Sequence, residues 1–225
     1  VYRVIKKTEK SMNTYNNHFF IDSGAHGLYN EHMIQTKHKL GYQWFQSQEF
    51  WDYVDVYAQF VKEHKEIENY ANVDVIFNPK LTYEVQLYLE KEHGLHPIPV
   101  IHHGTDKKWL EKYLTKGYEY IALGGLGQEV SKDTYIGWAD AMFNIICDTK
   151  DRKPLTKVHG FAITSFDLMK RYPWYSVDSM TWRITAMFGQ IMLPRFRSGK
   201  WCFDSSFLKI KISAEKSKYS GQPNV

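Results

Sequence analysis

Short apolar runs alternate six times with segments of helical periodicity along this chain of 225 residues. Between the runs, apolar residues recur at helical spacing, as at Phe50, Val54, Tyr57 and Val61, with Ser47 before them as a candidate N-cap. Such regular alternation of strand and helix predicts βα units that build a parallel sheet. The predicted strands are HFFID (18–22), VDVIF (73–77), IPVIH (98–102), YIAL (120–123), KVHGFAI (157–163) and YSVDSM (175–180).

The alternation predicts an α/β fold, for which a (β/α)8 barrel and an open doubly wound sheet compete. A closed barrel needs two further strands, and the ends of the chain offer YRVIK (2–6) and FLKIKI (207–212). The second segment suits an added hairpin strand equally well. Because no repeat or linker interrupts the chain, we predict a single domain over residues 1–225. Its predicted architecture is TIM-barrel-like, compact or partly degenerate.

Cysteine content and hydropathy limit the class of protein. The chain has two cysteines, Cys147 and Cys202, which excludes a disulfide framework and a cysteine-cluster zinc site. We find no apolar run of transmembrane length and no signal peptide, so we expect a soluble cytoplasmic protein with no membrane association.

Basic residues are concentrated late in the sequence, in RFRSGKW (195–201) and LKIKISAEKSK (208–218). A solvated surface explains such runs, and so does contact with a polyanion, which the net charge of +4 permits. Phe196 and Trp201 lie among these cations, and exposed aromatic rings stack on nucleic-acid bases. Both explanations remain open at the level of sequence.

Polar residues or glycines follow or end each predicted strand. They are Asp22, Asn78, His102, the Gly124-Gly125 pair, Thr164 and, within the sixth strand, Asp178. Taken singly, these residues are ordinary turn formers. In a parallel barrel they would share the carboxyl-terminal rim, where active sites of such barrels lie. Asp22 and Asp178 would then form a pair of carboxylates able to divide nucleophilic and proton-transfer roles. GGLGQE (124–129) lacks a phosphate-binding fingerprint, and no cofactor is predicted.

Five segments in order resemble motifs of the tRNA-guanine transglycosylase superfamily, namely FIDSGAHG, PVIHHG, YIALGGLGQE, VHGFAIT and YSVDSMTWR. They extend from Phe19 to Arg183, most of the chain. The resemblance is closer to the phage and bacterial branch that inserts 7-deazaguanines into DNA. It implies exchange of guanine for a 7-deazaguanine (preQ0-like) base, in the host cytoplasm if the protein is phage-encoded.

The resemblance also implies roles for individual residues. Asp178 would be the nucleophile that forms a covalent glycosyl-aspartate, and Asp22 would contact the base and transfer protons. The base would be bound by Ser23, Gly24, Asn78, His102, Gly124, Gly125, His159 and Gly160. A target base must leave its stack, so aromatic rings that stack on it are expected near the pocket, with Trp174, Tyr175 and Trp182 as candidates. The residues expected to contact nucleic acid are Trp182, Arg183, Arg195, Arg197 and Lys200.

Three departures from the family separate this chain from the tRNA enzymes. The zinc-binding subdomain is missing, Asn78 replaces a base-reading aspartate, and His102 replaces a glutamine. These changes favour DNA over tRNA as the partner, beside the free 7-deazaguanine base. Oligomeric state is left open, with a homodimer among the options.

Two alternatives stand beside this reading: the same exchange on tRNA, and a non-catalytic purine-binding or metal-dependent hydrolase barrel. The hydrolase would use His102 or His103, although no metal ligand set is predicted. His26 and His159 are either site residues or ordinary polar residues, and Asp74 is either structural or supports a pocket residue.

Overall fold

A computed structural model describes residues 19–31, 41–125, 130–203 and 207–212. The chain divides into two compact units, Val1–Ala122 and Leu123–Val225. The boundary falls inside a strand, β4 (Tyr120–Gly124).

The first unit alternates strands and helices before it reaches β4. Its elements are β1 (Phe19–Ile21), α1 (Ala25–Tyr29), α2 (Gly41–Trp44), α3 (Gln48–Glu63), β2 (Ile67–Tyr70), α4 (Pro79–Lys91), β3 (Val100–His102) and α5 (Lys107–Thr115).

The second unit continues the alternation and ends in short antiparallel strands. Its elements are α6 (Lys132–Ile146), β5 (Lys157–Gly160), α7 (Phe166–Arg171), β6 (Ser176–Val177), α8 (Thr181–Met187), β7 (Gln190–Leu193), β8 (Arg195–Arg197), β9 (Lys200–Cys202) and β10 (Leu208–Lys211).

Helix α3 forms where the apolar periodicity predicts a helix. Ser47 caps it, because the Ser47 Oγ accepts a hydrogen bond from the Phe50 amide at 3.4 Å. The buried face that follows includes Phe50, Val54 and Ala58, each with no exposed surface. Asp106 caps α5, because its carboxylate accepts a hydrogen bond from the Lys108 amide at 2.9 Å.

The strands that pair in parallel follow the order of the chain. β1 pairs with β2, and a four-stranded parallel sheet has the order β3-β4-β5-β6. Ala71, just after β2, forms a parallel bridge with Ile98, just before β3. A doubly wound sheet reverses its strand order at a switch point, and no reversal occurs among the described strands. The fold is therefore α/β with a parallel sheet, although these strands close no barrel.

The predicted strand at 73–77 is wrong. The strand is Ile67–Tyr70, and 73–77 is an irregular segment that is buried over 73–75 and ends in a turn at the exposed Phe77, where φ is 64°. The Thr82 side chain forms the hydrogen bonds that a neighbouring strand would otherwise form with the backbone of Val75. Its Oγ1 accepts from the Val75 amide at 2.9 Å and donates to the Val75 carbonyl at 3.2 Å. Hydropathy alone predicts a strand for a short buried apolar run. It cannot show that a side chain, and not a neighbouring strand, binds the backbone of that run.

The two segments that could complete a barrel have different outcomes. Leu208–Lys211 pairs antiparallel with Gln190–Leu193, so this segment is an added antiparallel strand, although β8 and β9 lie between the two partners and they form no simple hairpin. The other segment, residues 2–6, lies outside the described residues. Two strands are shorter than predicted. β5 ends at Gly160 and β6 ends at Val177, so Asp178 directly follows its strand.

Aromatic residues contribute heavily to the core of the second unit. Phe143 stacks on Tyr172 with ring centroids 4.7 Å apart, and it meets the edge of Trp174 at 4.8 Å. Such pairs stabilise a core beyond the area they bury. Within the described ranges, every helix is too short or too polar to cross a lipid bilayer.

Candidate active-site residues at the strand ends

Asp22 directly follows β1 and adopts the geometry of a turn residue. Its Oδ1 accepts a hydrogen bond from the Gly24 amide at 3.3 Å, while its side chain is exposed. Gly24 has a φ of 77°, and an added Cβ there would lie 3.0 Å from the Tyr53 hydroxyl oxygen. Glycine is therefore required by conformation and by space. The Ser23 side chain, a predicted base contact, is buried at 2% exposure.

Two buried tyrosines of α3 lie within reach of the Asp22 charge. The Tyr53 hydroxyl donates to the Ser23 carbonyl at 2.6 Å, and the Tyr57 hydroxyl donates to the Ala71 carbonyl at 2.7 Å. Burial raises the pKa of Tyr53 to about 12 and the pKa of Tyr57 well above its usual value, and Asp22 adds to both shifts. Both hydroxyls are therefore neutral donors at physiological pH.

His102 ends β3 and is hydrogen-bonded through Nε2 to the Asp74 carboxylate. Their side chains are 18% and 8% exposed, respectively. Burial alone would lower the pKa of His102, but the charge and hydrogen bond of Asp74, together with the charge of Asp22, outweigh it and raise the pKa. The sequence predicts His102 as a site residue, which stays a prediction, and leaves the role of Asp74 open between structural and supporting.

Asn78 caps helix α4. Its Oδ1 accepts from the Leu81 amide at 3.1 Å, and Pro79 occupies the first helical turn. The resemblance predicts Asn78 as a base contact, and its side-chain oxygen already accepts a hydrogen bond from the backbone. Gly124 ends β4 in a buried position, and Gly125 has a φ of 94°, which favours glycine. Residues 126–129 of GGLGQE lie outside the described residues.

Asp178 follows β6 in the second unit, with 53% of its side chain exposed. Its Oδ1 accepts a hydrogen bond from the Ala162 amide at 2.7 Å, and the Asp178 amide donates to the Gly160 carbonyl at 3.2 Å. Ala162 adopts a φ of 57°, a left-handed conformation that is unfavourable for alanine. One carboxylate oxygen is therefore fixed by a turn, while Oδ2 forms no hydrogen bond within the described part of the chain.

His159 lies on β5 opposite Ser176 on β6, and it is 3% exposed. Its Nδ1 is 2.6 Å from the Ser176 Oγ, and its Nε2 is 3.8 Å from the Asp178 Oδ1. Burial lowers the pKa of His159, and the Asp178 charge offsets part of that shift. The ring is thus neutral at pH 7 and supports the strand end that carries Asp178.

Gly160 is required by internal packing. A Cβ at this position would lie 2.6 Å from the Ile163 Cγ1 and 3.0 Å from the Trp174 Cε3. The resemblance predicts Gly160 as a base contact, and that role stays a prediction. In the structure, the backbone of Gly160 lies close to the side chains of Ile163 and Trp174.

The predicted nucleic-acid residues lie in α8 and in a two-stranded antiparallel ribbon, β8–β9. Trp182 and Arg183 belong to α8. In the ribbon, Phe196 pairs with Trp201, and the two residues are 60% and 58% exposed. Directly opposed residues share a face, so the aromatic pair lies on one face and the cations Arg195, Arg197 and Lys200 on the other.

Asp74 and Ser176 are the partners that sequence reasoning missed or left undecided. Ser176 contacts His159 across the pairing of β5 with β6, and Asp74 contacts His102 from an irregular segment 28 residues earlier in the chain. Short sequence motifs encode neither contact. His26 is exposed in α1. Among the described residues, no group of three or more His, Cys, Asp or Glu side chains has the arrangement of a metal site.

Comparisons with family models, curated proteins and solved structures found no match to this chain.

Proposed function

We propose that this protein exchanges guanine in nucleic acid, DNA in preference to tRNA, for a 7-deazaguanine base through a covalent intermediate on Asp178. The observation that carries the proposal is the geometry of Asp178, an exposed carboxylate after a parallel strand with one oxygen fixed by the Ala162 amide at 2.7 Å. The proposal includes completion of the parallel sheet as a (β/α)8-type barrel that lacks a zinc-binding subdomain.

In the first step, a carboxylate oxygen of Asp178 attacks C1′ of the target nucleoside. The C1′–N9 bond breaks, its electron pair goes to N9, and guanine leaves as the neutral base once it gains a proton. An oxocarbenium-like transition state is stabilised by an ionised carboxylate, as in retaining glycosidases. In the second step, N9 of the 7-deazaguanine attacks C1′, the bond to Asp178 breaks, and the incoming base loses its N9 proton. No phosphodiester bond is cut.

The turn at Ala162 supports the nucleophilic role of Asp178. A left-handed alanine costs about 1 kcal/mol, so this turn requires compensation from the surrounding contacts. It orients the Ala162 N–H toward Asp178 Oδ1 and leaves the second oxygen for attack. A fixed nucleophile loses little entropy when it reacts, which lowers the barrier to attack.

The β8–β9 ribbon supports a nucleic-acid substrate. It turns through Ser198 and Gly199, whose φ values of 49° and 77° suit a tight two-residue hairpin. Cations on one face suit a phosphate backbone, and exposed rings on the other suit unstacked bases. The distribution of charge and aromatic surface thus fits a single strand or a locally opened duplex.

Substitutions on the two faces of the ribbon should change the salt dependence of DNA affinity differently. For the triple variant Arg195→Ala, Arg197→Ala and Lys200→Ala, we expect the salt slope of log affinity for a DNA oligonucleotide to fall by about 2 to 3. For Phe196→Ala with Trp201→Ala, we expect a loss of about 1–3 kcal/mol that does not vary with salt. Fluorescence anisotropy across a salt series measures both effects.

The matched control for the ribbon replaces exposed lysines elsewhere in the chain. Lys80, Lys108 and Lys153 have side chains that are 80%, 66% and 79% exposed. Their triple alanine variant removes the same net charge and should leave the slope nearly unchanged. An equal fall in slope for both triple variants would contradict a localised phosphate contact.

A labelled 7-deazaguanine base offered with duplex DNA and, separately, with tRNA tests the proposed function. The expected result is label in the DNA and release of one guanine for each base inserted. Incorporation only into tRNA would overturn the preference for DNA. Guanine release without insertion would indicate a hydrolase, and absence of both reactions would overturn the proposal.

A further inference from the structure

The Asp74–His102 pair has the features of a working acid–base pair. His102 stands at the carboxyl end of β3, and its Nε2 is hydrogen-bonded to the Asp74 carboxylate. The Asp74 side chain is 8% exposed, whereas His102 keeps 18% of its side chain accessible. Asp74 is thus buried, whereas the His102 side chain is still partly accessible to a ligand.

The second ring nitrogen distinguishes this pair from a purely structural contact. Nδ1 of His102 has no hydrogen-bond partner within the described part of the chain, while Nε2 is fixed by Asp74. A buried ion pair is a weak source of stability, because apolar side chains of similar volume stabilise a core as well. An imidazole held at one nitrogen and open at the other suits a group that binds or transfers a proton.

The charges around His102 favour its protonated form. Asp74 and Asp22 both act on the ring, and together they outweigh the effect of burial, so the pKa of His102 is raised. The tyrosines that the Asp74 charge reaches, Tyr57 and Tyr113, have raised pKa values and stay neutral. The doubly protonated ring donates through Nε2 to Asp74 and offers Nδ1–H to a ligand.

We propose that the Asp74–His102 pair is a pH-dependent hydrogen-bond donor that binds the ring carbonyl oxygen of the free base, with Asp74 as its positioning residue. This inference rests on the proposed function. A protonated ring donates through Nδ1 below its pKa, and as pH rises through that value the proton is lost and the contact with the carbonyl oxygen weakens. Binding of the free base therefore weakens at high pH.

The test is calorimetric titration of 7-deazaguanine into the protein between about pH 5.5 and 8.5, a range that spans the ordinary histidine pKa. For the wild type, we expect affinity to fall by about tenfold per pH unit above the midpoint, as one linked proton requires. In Asp74→Asn the midpoint should move down by about one unit, because a neighbouring negative charge is lost. His102→Gln retains a donor that does not titrate and should bind with an affinity that does not vary with pH.

A second histidine–carboxylate pair in the same unit gives the control. His93 Nε2 lies 2.9 Å from the Asp55 Oδ1, and the His93 side chain is 17% exposed, close to the value for His102. Asp55→Asn should leave the pH profile of base binding unchanged. The analogue 2-amino-7-deazapurine, which lacks the carbonyl oxygen, should bind the wild type without the pH dependence.

The outcomes separate this inference from the function on which it rests. Binding of 7-deazaguanine with a pH profile that Asp74→Asn leaves unmoved overturns the inference alone. Absence of binding at every pH overturns the proposed base exchange and the inference with it. NMR titration of the His102 ring supplies an independent readout, and equal midpoints in wild type and Asp74→Asn would also overturn the role of Asp74.

Discussion

Asp178→Ala is expected to abolish base exchange, with a loss of at least about 10^3-fold in rate, and to leave binding of the free base intact. The physical reason is that removal of a covalent nucleophile eliminates the step that breaks the C1′–N9 bond. Incorporation of a labelled 7-deazaguanine into DNA measures the rate, and calorimetry measures base binding. Asp178→Asn keeps the size of the side chain and should be equally inactive.

A surface carboxylate in the same unit serves as the control for Asp178. Asp167 is 48% exposed and forms an ion pair with Lys132 at 2.6 Å. Asp167→Asn removes the same charge and should exchange bases at nearly the wild-type rate. An Asp178→Ala protein that exchanges bases normally would contradict the assignment of the nucleophile.

Gly160→Ala is expected to cost about 1–3 kcal/mol of the free energy of unfolding, the usual range for an overpacked site. The added methyl group would stand 2.6 Å from the Ile163 Cγ1 and 3.0 Å from the Trp174 Cε3, so buried side chains must move. For a chain of this length, each kcal/mol lowers Tm by roughly 2–4 °C. Denaturant unfolding followed by tryptophan fluorescence measures the change.

Gly137, inside helix α6, is the control for Gly160, because the same added methyl group should raise the free energy of unfolding there. A Cβ there meets nothing within 4 Å. Gly137→Ala should therefore stabilise the protein by about 0.5–1 kcal/mol, because glycine is a poor helix former. If both substitutions had the same effect, the packing explanation for Gly160 would be wrong.

Local signals in the sequence are sufficient for most helices and for the parallel character of the sheet. Ser47 with the periodicity after it predicts α3 and its cap, and both are present. The predicted strand before α4 begins at Val73 instead of Ile67, because Val73 and Val75 are as buried as strand residues although Thr82 satisfies the backbone of Val75. Helix periodicity is a property of one segment, whereas a strand is defined by its partner.

The candidate site is predictable only as a set of positions. The carboxyl ends of β1, β3, β5 and β6 do carry Asp22, His102, His159 with Gly160, and Asp178 at or just after them. The contacts that tune these residues come from side chains distant in sequence, such as Asp74 for His102. Asn78 has a second role, since the resemblance implies a base contact for it, while in the structure its side chain caps α4.

Mass spectrometry of the protein after reaction with duplex DNA, in the absence of an incoming base, tests the covalent intermediate most directly. We expect a covalent DNA adduct that disappears when 7-deazaguanine is added, and peptide mapping should place the linkage on Asp178. An adduct on another residue, or exchange that proceeds with no adduct under rapid quenching, would contradict it.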